Sequence, residues 1–224
     1  MSGLGRNFLL SHYIDLKKTI LLFFSCFILF SCQKKSIKLP YLGNHKEVIS
    51  ENGEIIRHYF KVPNFQLINQ DSIVINNTSF KDKIYIADFI FLKCPTICPI
   101  MNVELKRVYD IYKDNSNVLF ASHTIDPEND SIPALKVYSD QLGVEATKWF
   151  FLHGEKDYIH QLAEKGYFSQ AYENKEVPGG YAHSGGFLLV DKQRHIRGVY
   201  DGTNAKDVDR LIIEIEILLQ EKLD

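Results

Sequence analysis

Sulfur is scarce in this 224-residue chain, which holds four cysteines and two methionines, and there is a single tryptophan. So few cysteines exclude a small scaffold held together by many disulfides. Neither sign of charge is in excess: 26 lysines and arginines face 28 aspartates and glutamates, for a formal net charge of −2. That balance excludes a basic surface built for nucleic acid, and an acidic tail. No apolar run reaches the roughly twenty residues that a membrane-spanning helix needs. Internal repeats and low-complexity segments are lacking too. What is left is a globular composition, 45% hydrophobic, long enough for one domain of common size with additional segments.

The N-terminus departs from that globular pattern. Lys17 and Lys18 precede the apolar run Thr19–Ser31, and its about thirteen residues suit the core of a signal peptide. A permanent anchor helix is the second choice, because the run is short for a span. Leu29-Phe30-Ser31-Cys32 resembles a bacterial lipoprotein box, in which cleavage precedes the cysteine and lipid is attached to its sulfur, and polar Gln33-Lys34-Lys35 follow at once. Both readings place the remainder outside the cytoplasm, on the periplasmic side and tethered to a membrane. The expected organisation is a leader or anchor over 1–32, a polar tether over 33–57 and a domain over 58–224. Cys26 then lies in the apolar segment and Cys32 carries lipid, so Cys94 and Cys98 are the thiols of the soluble domain. In an oxidising compartment such a pair forms a disulfide or holds a metal.

Along the domain, the tether leads into an early strand or hairpin. Phe65–Ile68 and Ile73–Ile75 partly alternate around Asn69-Gln70-Asp71-Ser72, which predicts a second hairpin. The nearly continuous apolar run 83–91 predicts a central strand buried on both faces. Apolar residues at 101, 103, 105, 108, 111 and 112 predict a helix with Asn115 as its stop. A second buried strand over 117–126 is followed by a helix ending at Gly143, a strand over 146–154 and a helix closed by Gly166. Residues 169–182 read as an irregular loop, 185–202 as a hairpin turning at Asp191-Lys192-Gln193, and 205–223 as an amphipathic helix. This order predicts an α/β fold of the thioredoxin kind, a central mixed sheet flanked by helices, with an N-terminal hairpin extension.

In "FIFLKCPTICPIM", residues 90–102, each cysteine is followed by proline. Proline is tolerated in the first helical turn. Pro99 at the first helical position makes Cys98 the cap and leaves Cys94 in the turn before it, both at the positive end of the helix dipole, where thiolate is favoured. Three intervening residues allow a disulfide, yet thiol–disulfide enzymes favour two. The proline that faces the pair in thioredoxins is also displaced here: Pro178 lies early, and His183 stands in its neighbourhood. Two thiolates and an imidazole make a soft three-ligand set that suits copper, as Cu(I) or Cu(II). Structural zinc wants a fourth protein ligand and iron–sulfur clusters usually want four cysteines. His123 and His153, near strand ends, are weaker ligand candidates, and His45, His58, His160 and His195 read as surface residues.

These features together resemble the Sco (SenC-type) family of copper-binding proteins. The residues that carry the resemblance are Pro63-Asn64-Phe65-Gln66-Leu67 with Asn69-Gln70-Asp71, the CPTICP motif, Ile125-Asp126-Pro127-Glu128-Asn129-Asp130, Trp149-Phe150-Phe151-Leu152-His153-Gly154 and His183-Ser184. The resemblance implies copper ligation by Cys94, Cys98 and His183 in a membrane-tethered thioredoxin-like domain. It also implies help in building the dinuclear copper centre of cytochrome c oxidase, by delivering copper to that enzyme's copper-bearing subunit or another copper protein, by reducing the acceptor's cysteines, or by both. Many members carry an acidic residue directly before the histidine; here it is Ala182, and Asp126 is the candidate for a nearby carboxylate. The reading is a metallochaperone rather than an enzyme. The alternatives are a thioredoxin- or peroxidase-like thiol–disulfide oxidoreductase, with Cys94 and Cys98 as its catalytic redox pair, and a redox sensor.

Overall fold

A computed structural model describes residues 37–221; the leader, the lipoprotein box and Cys32 lie outside the described residues. The strands are β1 (His45–Ile49), β2 (Ile55–Tyr59), β3 (Gln66–Ile68), β4 (Val74–Asn76), β5 (Ile84–Ile90), β6 (Val118–Thr124), β7 (Trp149–Leu152), β8 (Ala171–Glu173), β9 (Tyr181–His183), β10 (Gly186–Val190) and β11 (Ile196–Asp201). The helices are α1 (Cys98–Tyr112), α2 (Ile132–Leu142), α3 (Lys156–Gln161) and α4 (Ala205–Gln220); α3 runs on into a π-turn over Leu162–Gly166.

The centre is a mixed sheet in the order β11-β10-β5-β6-β7. Strands β5, β6 and β7 are parallel, whereas β10 runs antiparallel to both β5 and β11. Every residue of β5 and β6 is buried, which is why their sequences run apolar instead of alternating. On one face, Tyr109 of α1 packs on Phe120 and Trp149, Tyr138 of α2 meets Phe151, and the Tyr112 hydroxyl donates to the Ile212 carbonyl of α4. On the other face Phe65, Phe80 and Tyr167 close over Tyr85, Phe89 and His123. Helix α2 follows the cap Ser131, whose hydroxyl accepts from the Ala134 amide, and ends at Gly143 with φ 65°.

The expected strands and helices are found, with three corrections. Helix α1 begins at Cys98 itself, with Ile97 as its cap and Pro99 as the second helical residue; a thiol is a weak acceptor and does not displace the backbone turn that starts the helix. Residues expected as a loop over 169–182 contain β8 and most of β9, which pair antiparallel from Ala171↔His183 to Glu173↔Tyr181. Strand β2 spans positions 57 and 58, and Leu39, ahead of it, is buried. Lastly, His195 is buried, its Nδ1 2.7 Å from the Phe60 carbonyl.

Arg197 shows why the chain folds down so early. Its guanidinium donates to the carbonyls of Leu39 and Pro40, pairs with Asp191 and Glu221, and lies over the Tyr41 ring at 4.2 Å. One buried cation thus ties the entering segment, the β10–β11 turn and the end of α4 together. The burial is tolerable because all of those partners accept from it.

Candidate metal centre

The parallel strands β5 and β6 end on the same side, and β10 begins there. Cys94 follows β5 in a tight turn whose amide donates to the Phe91 carbonyl at 3.2 Å. Cys98 opens α1, and His183 closes β9. Two chain segments distant in sequence therefore deliver the donors to the end of the sheet where β5 stops: Cys94 and Cys98 come from the turn into α1, and His183 from β9. The imidazole Nε2 lies 3.4 Å from Cys98 Sγ and 3.8 Å from Cys94 Sγ. All three donor atoms fall within 4.8 Å of one another, the spacing of ligands around a single ion with bonds of about 2.0–2.3 Å. Both cysteines are free thiols and both are buried.

Their settings differ. Burial pushes the Cys94 thiol up, but hydrogen bonds from Cys98, from the Thr96 and Cys98 amides and from the Thr96 hydroxyl outweigh it, so the net shift is downward. The Cys98 thiol is pushed far up, first by burial and then by its bond to Cys94. Of the pair, Cys94 is the readier thiolate. Burial lowers the His183 imidazole, so at neutral pH its Nε2 is free to bind a metal.

His183 is held by its strand. Its neighbour Ser184 donates its amide to the Gln170 carbonyl and shares a 2.6 Å hydroxyl bond with Ser169. The ring stands edge-on to Phe91 at 5.6 Å. A Cβ on Gly179, where φ is 87°, would sit 2.7 Å from that same Phe91 ring, so only glycine lets the β8–β9 turn close down here. The other ring nitrogen of His183, Nδ1, is buried without a hydrogen-bond partner.

The remaining candidates lie elsewhere. His123 is enclosed by Phe65, Phe89 and Tyr167 on the far face of the sheet, and His153 Nε2 is 3.0 Å from the Pro127 carbonyl; neither belongs to the donor cluster. Asp126 is buried but does not touch the donors: it accepts from the Tyr181 hydroxyl at 3.1 Å and from Asn129 at 2.9 Å. Three residues were not singled out by sequence reasoning. Asp130 accepts from the Leu92 amide and the Thr124 hydroxyl and so braces the turn before Cys94. Tyr181 links β9 to Asp126. Asp88 is a carboxylate buried in β5, and a single acid in an apolar run was the signal for it.

The family model for SCO1/SenC matches residues 55–220 of the chain. The chain belongs to the SCO1/SenC family. It is similar to the SCO1 protein homolog of Bacillus subtilis, 29% identical over 159 residues that cover 70% of this chain and 82% of that protein. Its fold matches BsSco, described as a member of the Sco family of cytochrome c oxidase assembly proteins with a disulfide switch: the TM-score is 0.65 at 27% identity, over 73% of this chain and 95% of that one. It also matches copper-bound ScoI of Arabidopsis thaliana, with a TM-score of 0.59 at 22% identity, over 70% of this chain and 99% of that one. As a SCO1/SenC protein it has the thioredoxin-like mixed sheet expected of it. Among the described residues no helix is long and apolar enough to cross a membrane.

Proposed function

We propose that this SCO1/SenC protein is an extracytoplasmic copper chaperone, tethered to its membrane through lipid on Cys32, that serves assembly of the dinuclear copper centre of cytochrome c oxidase. The observation that carries the reading is the meeting of Cys94, Cys98 and His183 within 4.8 Å. Two sulfurs and one imidazole are a soft donor set, and three donors suit trigonal Cu(I) or, with a further ligand, Cu(II). The BsSco and Arabidopsis comparisons support copper and oxidase assembly as the setting. Copper is cargo here. Binding releases the two thiol protons, and an acceptor rich in soft ligands takes the ion by exchange at an incomplete coordination shell.

Anaerobic titration of the reduced protein with Cu(I) and with Cu(II) tests this. One copper binds per chain, and Cys94→Ser, Cys98→Ser and His183→Ala each weaken it. Full affinity in His183→Ala removes the imidazole from the site and ends the proposal in this form.

A second reading rests on the free thiols themselves. Cys94, the readier thiolate, attacks an acceptor disulfide and Cys98 resolves the mixed disulfide. The acceptor gains two electrons and two protons as dithiol, and this chain retains the Cys94–Cys98 disulfide. The two readings part on one variant: His183→Ala abolishes tight copper binding in the first and leaves thiol–disulfide turnover nearly intact in the second.

A further inference from the structure

Metal-binding histidines usually donate their second ring nitrogen to a carboxylate or carbonyl, which fixes the ring. His183 has no carboxylate partner and no well-formed hydrogen bond at Nδ1, which is buried; the backbone of Ser184 and Phe89 acts on the ring, but too weakly to outweigh burial. Its orientation has to come from the strand that carries it. A long-range restraint on that strand sits two residues earlier, on the same face.

Tyr181 is buried, and its hydroxyl donates to Asp126 Oδ1 at 3.1 Å. Asp126 is itself buried, with both oxygens also accepting from Asn129. The Lys156 ammonium lies 5.6 Å from the centre of the Tyr181 ring and bonds Glu173, the residue paired with Tyr181 in the β8–β9 ladder. Phe91 completes the arrangement, with its ring 5.5 Å from Tyr181 and 5.6 Å from His183. One side chain from the cysteine-bearing turn is thus wedged between the tyrosine and the histidine of β9.

We infer that Tyr181 and Asp126 are positioning residues for His183: their bond holds β9 against Phe91 and so keeps the weakly anchored imidazole aimed at the two sulfurs. This rests on the three-donor reading of the site. It gives Asp126 a role exerted through Tyr181 rather than on the ligand. Loss of the bond frees the histidine to leave the metal while both thiolates keep it.

Copper release from the full-length protein to a soluble chelator, measured by stopped flow, tests the inference. Tyr181→Phe keeps the ring and its packing, and Asp126→Asn keeps the shape of the carboxylate. Each speeds release by about tenfold, the lower end of the roughly 10–100-fold cost of disturbing what orients a ligand. The double variant is no faster than either single one, because both remove the same bond. In the copper-free protein, nitrogen-15 NMR shows broadened His183 ring signals in Tyr181→Phe, which thermal destabilisation alone does not produce. Wild-type release rates in Tyr181→Phe, with His183→Ala fast, overturn the positioning role and leave the donor set standing. Additive effects in the double variant also overturn it. Wild-type release in His183→Ala removes the donor reading and this inference with it.

Discussion

Asp88 is the residue on which the physics of the interior is easiest to check. Its Oδ1 accepts from the Ser122 hydroxyl, which in turn accepts from Trp149 Nε1, while Oδ2 is buried with no partner. Burial, only partly offset by Ser122, pushes its carboxyl up to about 7 from 3.8. A carboxyl raised by folding binds more protons in the native than in the unfolded chain, so stability falls as pH rises from about 4 to about 7. His123 works the other way: burial lowers it from 6.5 to about 4, so stability rises between those values. Asp88→Asn isolates the first term, since His123 is present in both proteins. Urea unfolding from pH 4 to 8 should show the variant gaining on wild type with pH, by on the order of 2–4 kcal/mol at pH 8. A constant difference across that range contradicts the account. Cys94, Cys98 and His183 were legible as a candidate donor set at this scale because cysteine is scarce and both residue types are chemically loaded. Tyr181 was not, because twelve tyrosines mostly serve packing and nothing in the sequence marks which one holds a strand.

The β8–β9 hairpin is the element that the sequence concealed. Its strands are three residues each, too short for alternation to show, and Pro178-Gly179-Gly180 between them reads as loop. Only pairing reveals them, and pairing depends on the Phe91 contact that no local pattern contains. By contrast β5 and β6 are long buried strands and α1 and α4 are long and periodic, so they were readable. Gly179 gives the hairpin a test. In Gly179→Ala the new methyl meets the Phe91 ring at a left-handed φ, a combination that costs about 1–3 kcal/mol. Amide exchange should quicken first over 171–183, and copper affinity should fall about tenfold, in line with a loosened ligand support. Unchanged exchange in the hairpin contradicts the claim that glycine lets it close.

At the scale of the molecule, the donor cluster and the Arg197 knot occupy opposite ends of the sheet. Strand β10 starts beside His183 and ends at the Asp191 turn that Arg197 binds. The described chain enters at the knot end, where the carbonyls of Leu39 and Pro40 accept from Arg197. Arg197→Ala strips a buried cation from two carboxylates, and by the usual cost of breaking such a pair it should lose roughly 3–5 kcal/mol of stability. Copper affinity and the spectrum of bound copper should be unchanged in the same variant at temperatures where it is folded. A shifted spectrum would show that the two ends are coupled. Lipid on Cys32 is checked separately: labelled fatty acid should enter the wild-type protein and be lost in Cys32→Ala.

X-ray absorption of the copper-loaded, full-length protein tests the central claim most directly, because it counts the atoms around the ion. Two sulfurs and one imidazole nitrogen are expected in the first shell, with the nitrogen lost in His183→Ala. A first shell of sulfur alone, or one that His183→Ala leaves untouched, contradicts the account.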